Sequence, residues 1–203
     1  MKKTFLILAA ILLAATVSAQ NHEKNILGVR AGLNLSSYSI SESGVSLSTD
    51  SRASFHVAVV DQILLCNRLP FYLETGLAFS SRGGKVSGGS FRPSYLQIPV
   101  LVNYHFNIKN IVTIQPFAGL YYGFGIGGKM KAGGEKADIF GDEGILKRSD
   151  LGVRLGAGVV WNRIYFGLGY DIGCLNLAKD VLTNGGDGTM RNNCFTISVG
   201  YNF

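Results

Sequence analysis

The stretch Asp150-Leu-Gly-Val-Arg-Leu-Gly-Ala-Gly-Val-Val-Trp161, joined through Asn162-Arg163 to Ile164-Tyr-Phe-Gly-Leu-Gly-Tyr-Asp-Ile-Gly173, decides the fold. Its large apolar side chains recur at every second position: Leu151, Val153, Leu155, Ala157, Val159 and Trp161 before the join, then Ile164, Phe166, Leu168, Tyr170 and Ile172 after it. A period of two belongs to β-strands, whose successive side chains point to opposite faces. With Asn162-Arg163 as a two-residue turn, the two strands form a hairpin in which Gly158 faces Gly167, Gly156 faces Gly169 and Arg154 faces Asp171. One face of this hairpin is greasy; the other holds glycines and a complementary pair of charges.

The same alternation runs through 27–35, 53–59, 71–79, 96–106, 112–124 and 195–203, which gives eight strands in all. Beyond the first residues there is no apolar run of about 18 and no sustained i, i+3, i+4, i+7 stripe, so helices are scarce. The connections at 63–70, 107–110 and 162–163 are short, whereas those at 36–51, 81–94, 127–149 and 174–193 are long and rich in Gly, Ser, Lys and Asp. Short and long joins alternate, so each kind gathers at one end. The pattern predicts an all-β fold: an eight-stranded antiparallel up-and-down transmembrane β-barrel with tight periplasmic turns and longer extracellular loops. Pro99 and Pro116 fall inside predicted strands and remove ladder donors, so bulges are expected there.

Alternation does not say which face is inside, but glycine does. The non-apolar face carries Gly28, Gly32, Gly76, Gly119, Gly152, Gly156, Gly158, Gly167, Gly169, Gly173 and Gly200, and a water-facing strand would favour Thr, Lys or Glu over residues that weaken it. An eight-stranded barrel leaves an interior barely wide enough for side chains, which suits glycine mixed with a few polar groups, and Leu, Val and Phe then face lipid. Aromatic residues are expected in two belts at the membrane boundaries. Phe71, Tyr104, Phe106, Trp161, Tyr201 and Phe203 form the periplasmic belt, and Phe55, Phe79, Tyr95, Tyr122, Phe124 and Tyr170 the extracellular one. A charge buried in such a lumen needs a partner, which makes Arg154 with Asp171 a predicted ion pair and Arg30 with Glu74 further members of the same network.

Composition agrees with one modest, well-packed domain. The chain has 203 residues, of which 47% are hydrophobic and only 16% charged; this excludes both a disordered chain and a large multidomain enzyme. Lys2 and Lys3, an apolar stretch at 5–17 and Val17-Ser18-Ala19 read as a cleaved signal peptide over 1–19, which leaves 20–203 as the barrel domain exported to the outer membrane. No Cys follows the cleavage site, so a lipoprotein anchor is not expected. The formal net charge of +6 is mild, and 129–150 mixes Lys with Glu and Asp, so no nucleic-acid surface is expected.

Several elements, namely Gly28-Val-Arg-Ala-Gly-Leu-Asn-Leu-Ser36, Tyr95-Leu-Gln-Ile-Pro99, Pro116-Phe-Ala-Gly-Leu-Tyr-Tyr-Gly123, Asp150-Leu-Gly152 with Gly156-Ala-Gly158, and Tyr170-Asp-Ile-Gly173 with Asn176-Leu177, together resemble the PorT-like outer-membrane β-barrel proteins of Bacteroidota. The resemblance covers the whole chain after the leader. This chain has Cys174 where the family more often has Leu. Membership implies an outer-membrane location and fold; one branch of the family is associated with protein secretion. Terminal Phe203 looks like the final aromatic of the signal read by the outer-membrane assembly machinery, and outer-membrane lipid and other envelope proteins are the remaining expected partners.

Motifs of chemistry are sparse. Gly123-Phe-Gly-Ile-Gly-Gly128 is formally G-x-G-x-x-G, but no helix follows to face a pyrophosphate, so no cofactor is expected. His22, His56 and His105 are far apart and no Cys or His pair has ligand spacing, so no metal is expected. Ser54, His56 and Glu74 share the predicted lumen face. They define the alternative to a non-enzymatic barrel: an outer-membrane lipid-modifying enzyme built on a serine, a histidine and an acid. Of Cys66, Cys174 and Cys194, the last two bracket the fourth long loop, but strand parity sends them to opposite faces, and free thiols are the expectation over a disulfide.

Overall fold

The computed structural model describes residues 25–42, 45–65, 69–86, 89–109, 111–132, 135–141, 144–178 and 188–203. The leader at 1–19, His22 and Cys66 lie outside the described residues. Eight long strands, β1 (Asn25–Glu42), β3 (Asp50–Leu64), β4 (Phe71–Ser81), β6 (Gly89–Tyr104), β8 (Val112–Ala132), β10 (Ser149–Trp161), β11 (Ile164–Gly173) and β12 (Thr189–Asn202), pair antiparallel in that order. The ring closes because β1 pairs with β12 on one side and with β3 on the other. Four short strands extend it: β2 (Val45–Ser48) on β1, β5 (Gly84–Val86) between β3 and β6, and β7 (Phe106–Ile108) and β9 (Glu135–Asp138) on β8. Among the described residues no helix is long and apolar enough to cross a membrane, and closure instead satisfies every edge of the spanning sheet.

Much of what composition marks as loop is ribbon. β1 continues to Glu42, β6 begins at Gly89 and β8 runs to Ala132, all well inside the expected connections. The ladder outlasts the greasy alternation because strands that rise above the bilayer no longer need an apolar outer face. At the other end Asn162 and Arg163 take positive φ values of 46° and 71°, the two-residue turn that matches hairpin twist, and the register of β10 on β11 sets Arg154 opposite Asp171.

Polarity is inverted relative to a water-soluble barrel. Leu33, Leu120, Phe166 and Leu168 point outward and are more than half exposed, while Asn34, Gln62, Gln97, Gln115 and Asp171 point inward and are buried. Glycine makes the lumen fillable: the Tyr165 ring lies over Gly158 and Gly167, where an added Cβ would overlap ring atoms.

The expected bulges at Pro99 and Pro116 are corrected. Register runs unshifted through both, Pro99 facing Tyr121 and Pro116 facing Ala157. What each proline does is open a gap in one ladder. β4 and β6 are unpaired between Thr75–Val100 and Ala78–Gln97, where Gly76 presses against the Val59 carbonyl, and the β6–β7 break at His105 falls beside Pro116. A missing N–H costs one hydrogen bond but needs no extra residue. The register shift lies instead at Ser94/Tyr95, opposite Gly127 and Gly125, which leaves Ile126 as the extra residue. Tyr95 is also corrected: odd positions of β6 face inward, so it is fully buried in the lumen and not in the extracellular belt. The other belt residues that are at least a third exposed are Phe55, Tyr122, Phe124 and Tyr170 above, and Phe106, Trp161, Tyr201 and Phe203 below, with Phe71 and Tyr104 in edge contact at 4.8 Å.

Candidate functional site

The lumen holds two charged clusters with a small cavity between them. In the first, Asp171 on β11 receives both Nε and Nη2 of Arg154, at 2.6 and 2.8 Å, and Nη2 of Arg82. Arg82, fully buried, also bonds Ser80 Oγ at 3.4 Å and lies 3.9 Å from Asp150 Oδ2, which accepts a hydrogen bond from Asn192 at 3.1 Å. Arg154 reaches Gln97 Oε1 at 3.2 Å, and both guanidiniums approach the Tyr121 ring, at 5.1 and 5.4 Å from its centroid. Two cations meet two anions, so the cluster is formally neutral. That balance is what makes burial tolerable, because an unpaired ion in such a site costs several kcal/mol.

The second cluster lies toward the periplasmic end. Glu74 Oε2 accepts from Gln62 at 2.6 Å and Asn103 at 3.0 Å, and Arg30 lies 3.9 Å from it while donating to Asn202 Oδ1 at 2.6 Å. The Arg30 guanidinium covers the Tyr165 ring at 3.6 Å. Arg30 and Glu74 therefore pair with each other and do not extend the Asp171 cluster as expected. A cavity of about 60 Å³ separates the two and is lined by Arg30, Glu74, His56 and Arg154 among others.

Sequence reasoning missed Arg82 and Asp150. Arg82 follows the last residue of β4 in a Ser-Arg-Gly-Gly run that reads as exposed loop, yet its backbone N–H bonds the Pro93 carbonyl and turns the side chain inward. Asp150 is the second residue of β10, and its signal is parity: it falls in phase with Gly152 and Arg154 on the lumen face. Arg82 carries no signal apart from the need for a counter-charge.

Ser54, His56 and Glu74 do not assemble. The Ser54 hydroxyl donates to the Ser81 carbonyl at 2.6 Å; His56 bonds Asn34 through Nδ1 at 2.7 Å and Ser198 through Nε2 at 3.0 Å; Glu74 is held in the periplasmic cluster. No base meets the hydroxyl, and the histidine is oriented by an amide, not an acid. Gly123 to Gly128 continue β8 and are not followed by a helix. Among the described residues no group of three metal-ligating side chains comes together, and Cys174 (exposed) and Cys194 (buried) are free thiols.

Above the charges the barrel is capped. Tyr38, Phe91, Tyr95, Ile139, Phe140, Leu146, Leu177 and Met190 form a buried apolar cluster, with Tyr38–Phe91 and Tyr95–Phe140 edge contacts at 4.8 and 5.8 Å. The segments that carry it are latched: Lys147 N–H donates to the Leu177 carbonyl at 2.9 Å, and Asn176 Oδ1 accepts from the backbones of Ala178 and Met190. At the opposite end, His105, in the break between β6 and β7 with its backbone N–H on the Pro70 carbonyl at 3.0 Å, stacks on Tyr72 at 3.9 Å.

A closed ring with a greasy belt, a neutral ionic filling and an apolar lid defines a small integral outer-membrane barrel. A family model described as "Outer membrane protein beta-barrel domain" matches residues 7–203, and the chain belongs to that family. Among solved structures it is similar to the attachment invasion locus protein Ail of Yersinia pestis (14% identity, 89% of this chain and 99% of that one, TM-score 0.48). It is also similar to Neisserial surface protein A (14%, 87% and 97%, TM-score 0.49) and to OprG of Pseudomonas aeruginosa (13%, 91% and 98%, TM-score 0.47). Comparison with curated proteins gives no match. The outer-membrane location rests on the family and on the exposed apolar belt.

Proposed function

We propose that this barrel is non-enzymatic and closed, and that it acts through its extracellular face or through envelope partners. One observation carries the reading. The lumen is sealed twice, by Arg82, Arg154 and Asp171 across its interior and by Ile139, Leu146 and Leu177 above them, all fully buried except Arg154, which is largely so. That filling supports a closed lumen, and the Ser54 hydroxyl is held by the Ser81 carbonyl and not by a base. The sequence motifs support a PorT-like protein of the secretion-associated kind, exported through the leader at 1–19 and inserted by assembly machinery that reads Phe203. The test pairs two measurements. Wild-type protein in planar bilayers is expected to give no conductance steps, and a deletion strain to lose surface secretion or adhesion until the gene is restored; steady open-channel currents or a deletion strain with intact secretion and adhesion would overturn the reading.

A further inference from the structure

The register shift at Ile126 has an electrostatic result. Below it, odd positions of β8 face the lumen (Gln115, Tyr121), so an unbroken strand would turn Lys129 and Lys131 inward. The extra residue inverts the parity. Met130 now packs against the apolar cap, and Lys129 and Lys131 emerge exposed on the outer wall, opposite Arg92 and Ser90 of β6. These four side chains line a recess of about 220 Å³.

Two features mark the recess as an anion site. Arg92 and Lys129 are direct cross-strand partners, an arrangement of like charges that destabilises a sheet unless something neutralises it. Among the described residues Lys129 has one acid against it, Asp138, its cross-strand partner on β9 at 3.9 Å; both ends are exposed, so the contact is worth little in water and leaves the recess with a net positive charge, and Asp50 faces Lys85 on the far side of β5. Height identifies the anion. Arg92 stands four residues above lipid-facing Leu96 and Lys129 three above lipid-facing Ile126, roughly 8–10 Å along tilted strands, which is level with a headgroup layer.

We propose that Ser90, Arg92, Lys129 and Lys131 bind the phosphate of an outer-leaflet phospholipid or phosphorylated glycolipid, whose acyl chains lie against Leu96, Phe124 and Ile126. The planar guanidinium supplies paired donors to phosphate oxygens, the two ammonium groups supply charge, and the Ser90 hydroxyl donates a further hydrogen bond. The mature barrel, folded in neutral detergent, is titrated with fluorescent diphosphoryl lipid A and competed with unlabelled dephosphorylated lipid A or with inorganic phosphate. Arg92→Gln/Lys129→Gln/Lys131→Gln is expected to weaken binding about 100-fold, and Arg92→Gln or Lys129→Gln alone about fivefold. Lys147→Gln/Arg191→Gln, which removes exposed charge elsewhere on the extracellular side, is expected to stay within about threefold of wild type. A heat-modifiable gel shift verifies folding, and the single variants decide should the triple variant not fold. Wild-type affinity in the charge-removed variants, or equal competition by the dephosphorylated lipid, overturns the proposal. Displacement by inorganic phosphate as effective as by lipid makes the recess a free-anion site and overturns it too.

Discussion

Replacing Asp171 by leucine removes the carboxylate that three guanidinium N–H groups share and leaves Arg82 and Arg154 with Asp150 as their remaining anion, 3.9 Å from Arg82. Stranding one partner of a buried pair costs about 3–5 kcal/mol, and for a domain of this size that lowers the unfolding midpoint by roughly 10 °C. The informative comparison is Arg154→Leu/Asp171→Leu. It removes one cation and one anion together, keeps Arg82 with Asp150, and restores neutrality, so at least half of the loss is expected to return. Thermal unfolding in detergent is followed through Trp161, the single tryptophan, which sits half-exposed at the periplasmic rim, and through the heat-modifiable gel shift. An unchanged midpoint in Asp171→Leu, or a double variant as unstable as the two singles summed, refutes the reasoning.

Two further outcomes follow from the ends of the barrel. His105→Ala removes the ring that stacks on Tyr72 at 3.9 Å, and the free energy of unfolding in urea is expected to fall by about 1 kcal/mol; an unchanged value would dismiss the contact. At the other end Leu177→Asp places a charge in the apolar cap; limited proteolysis is expected to cleave within 136–147 while the barrel keeps its gel shift, and unchanged resistance would count against a latched lid.

The spanning part of the fold was legible because lipid imposes a strict rule on every second side chain. Leu151 to Ile172 obey it without exception, and the Asn162-Arg163 turn then fixes which residues face one another. The rule lapses where strands leave the bilayer, which is why β1, β6 and β8 run further than the greasy alternation does. It is also blind to a one-residue insertion. Ile126 is large, apolar and exposed like Tyr122 and Phe124 before it, and only the ladder shows that parity reverses beyond it. Prolines misled in the opposite sense, since a lost donor and an extra residue are separate events. In the lumen, Arg154 opposite Asp171 was readable from the hairpin register; strand parity also turned Arg30 and Glu74 inward but did not show that they form a separate pair. Arg82 was not readable, because a residue just past a strand end has no parity to read.

The arrangement of greasy wall and ionic centre is tested most directly by single spin labels at Leu168 and Thr196 in lipid nanodiscs, with Cys66, Cys174 and Cys194 changed to serine. The label at 168 is expected to be relaxed by dissolved oxygen and shielded from a water-soluble nickel chelate, and the label at 196 to be shielded from both. Strong nickel relaxation at 168 would place that face in water and contradict the account.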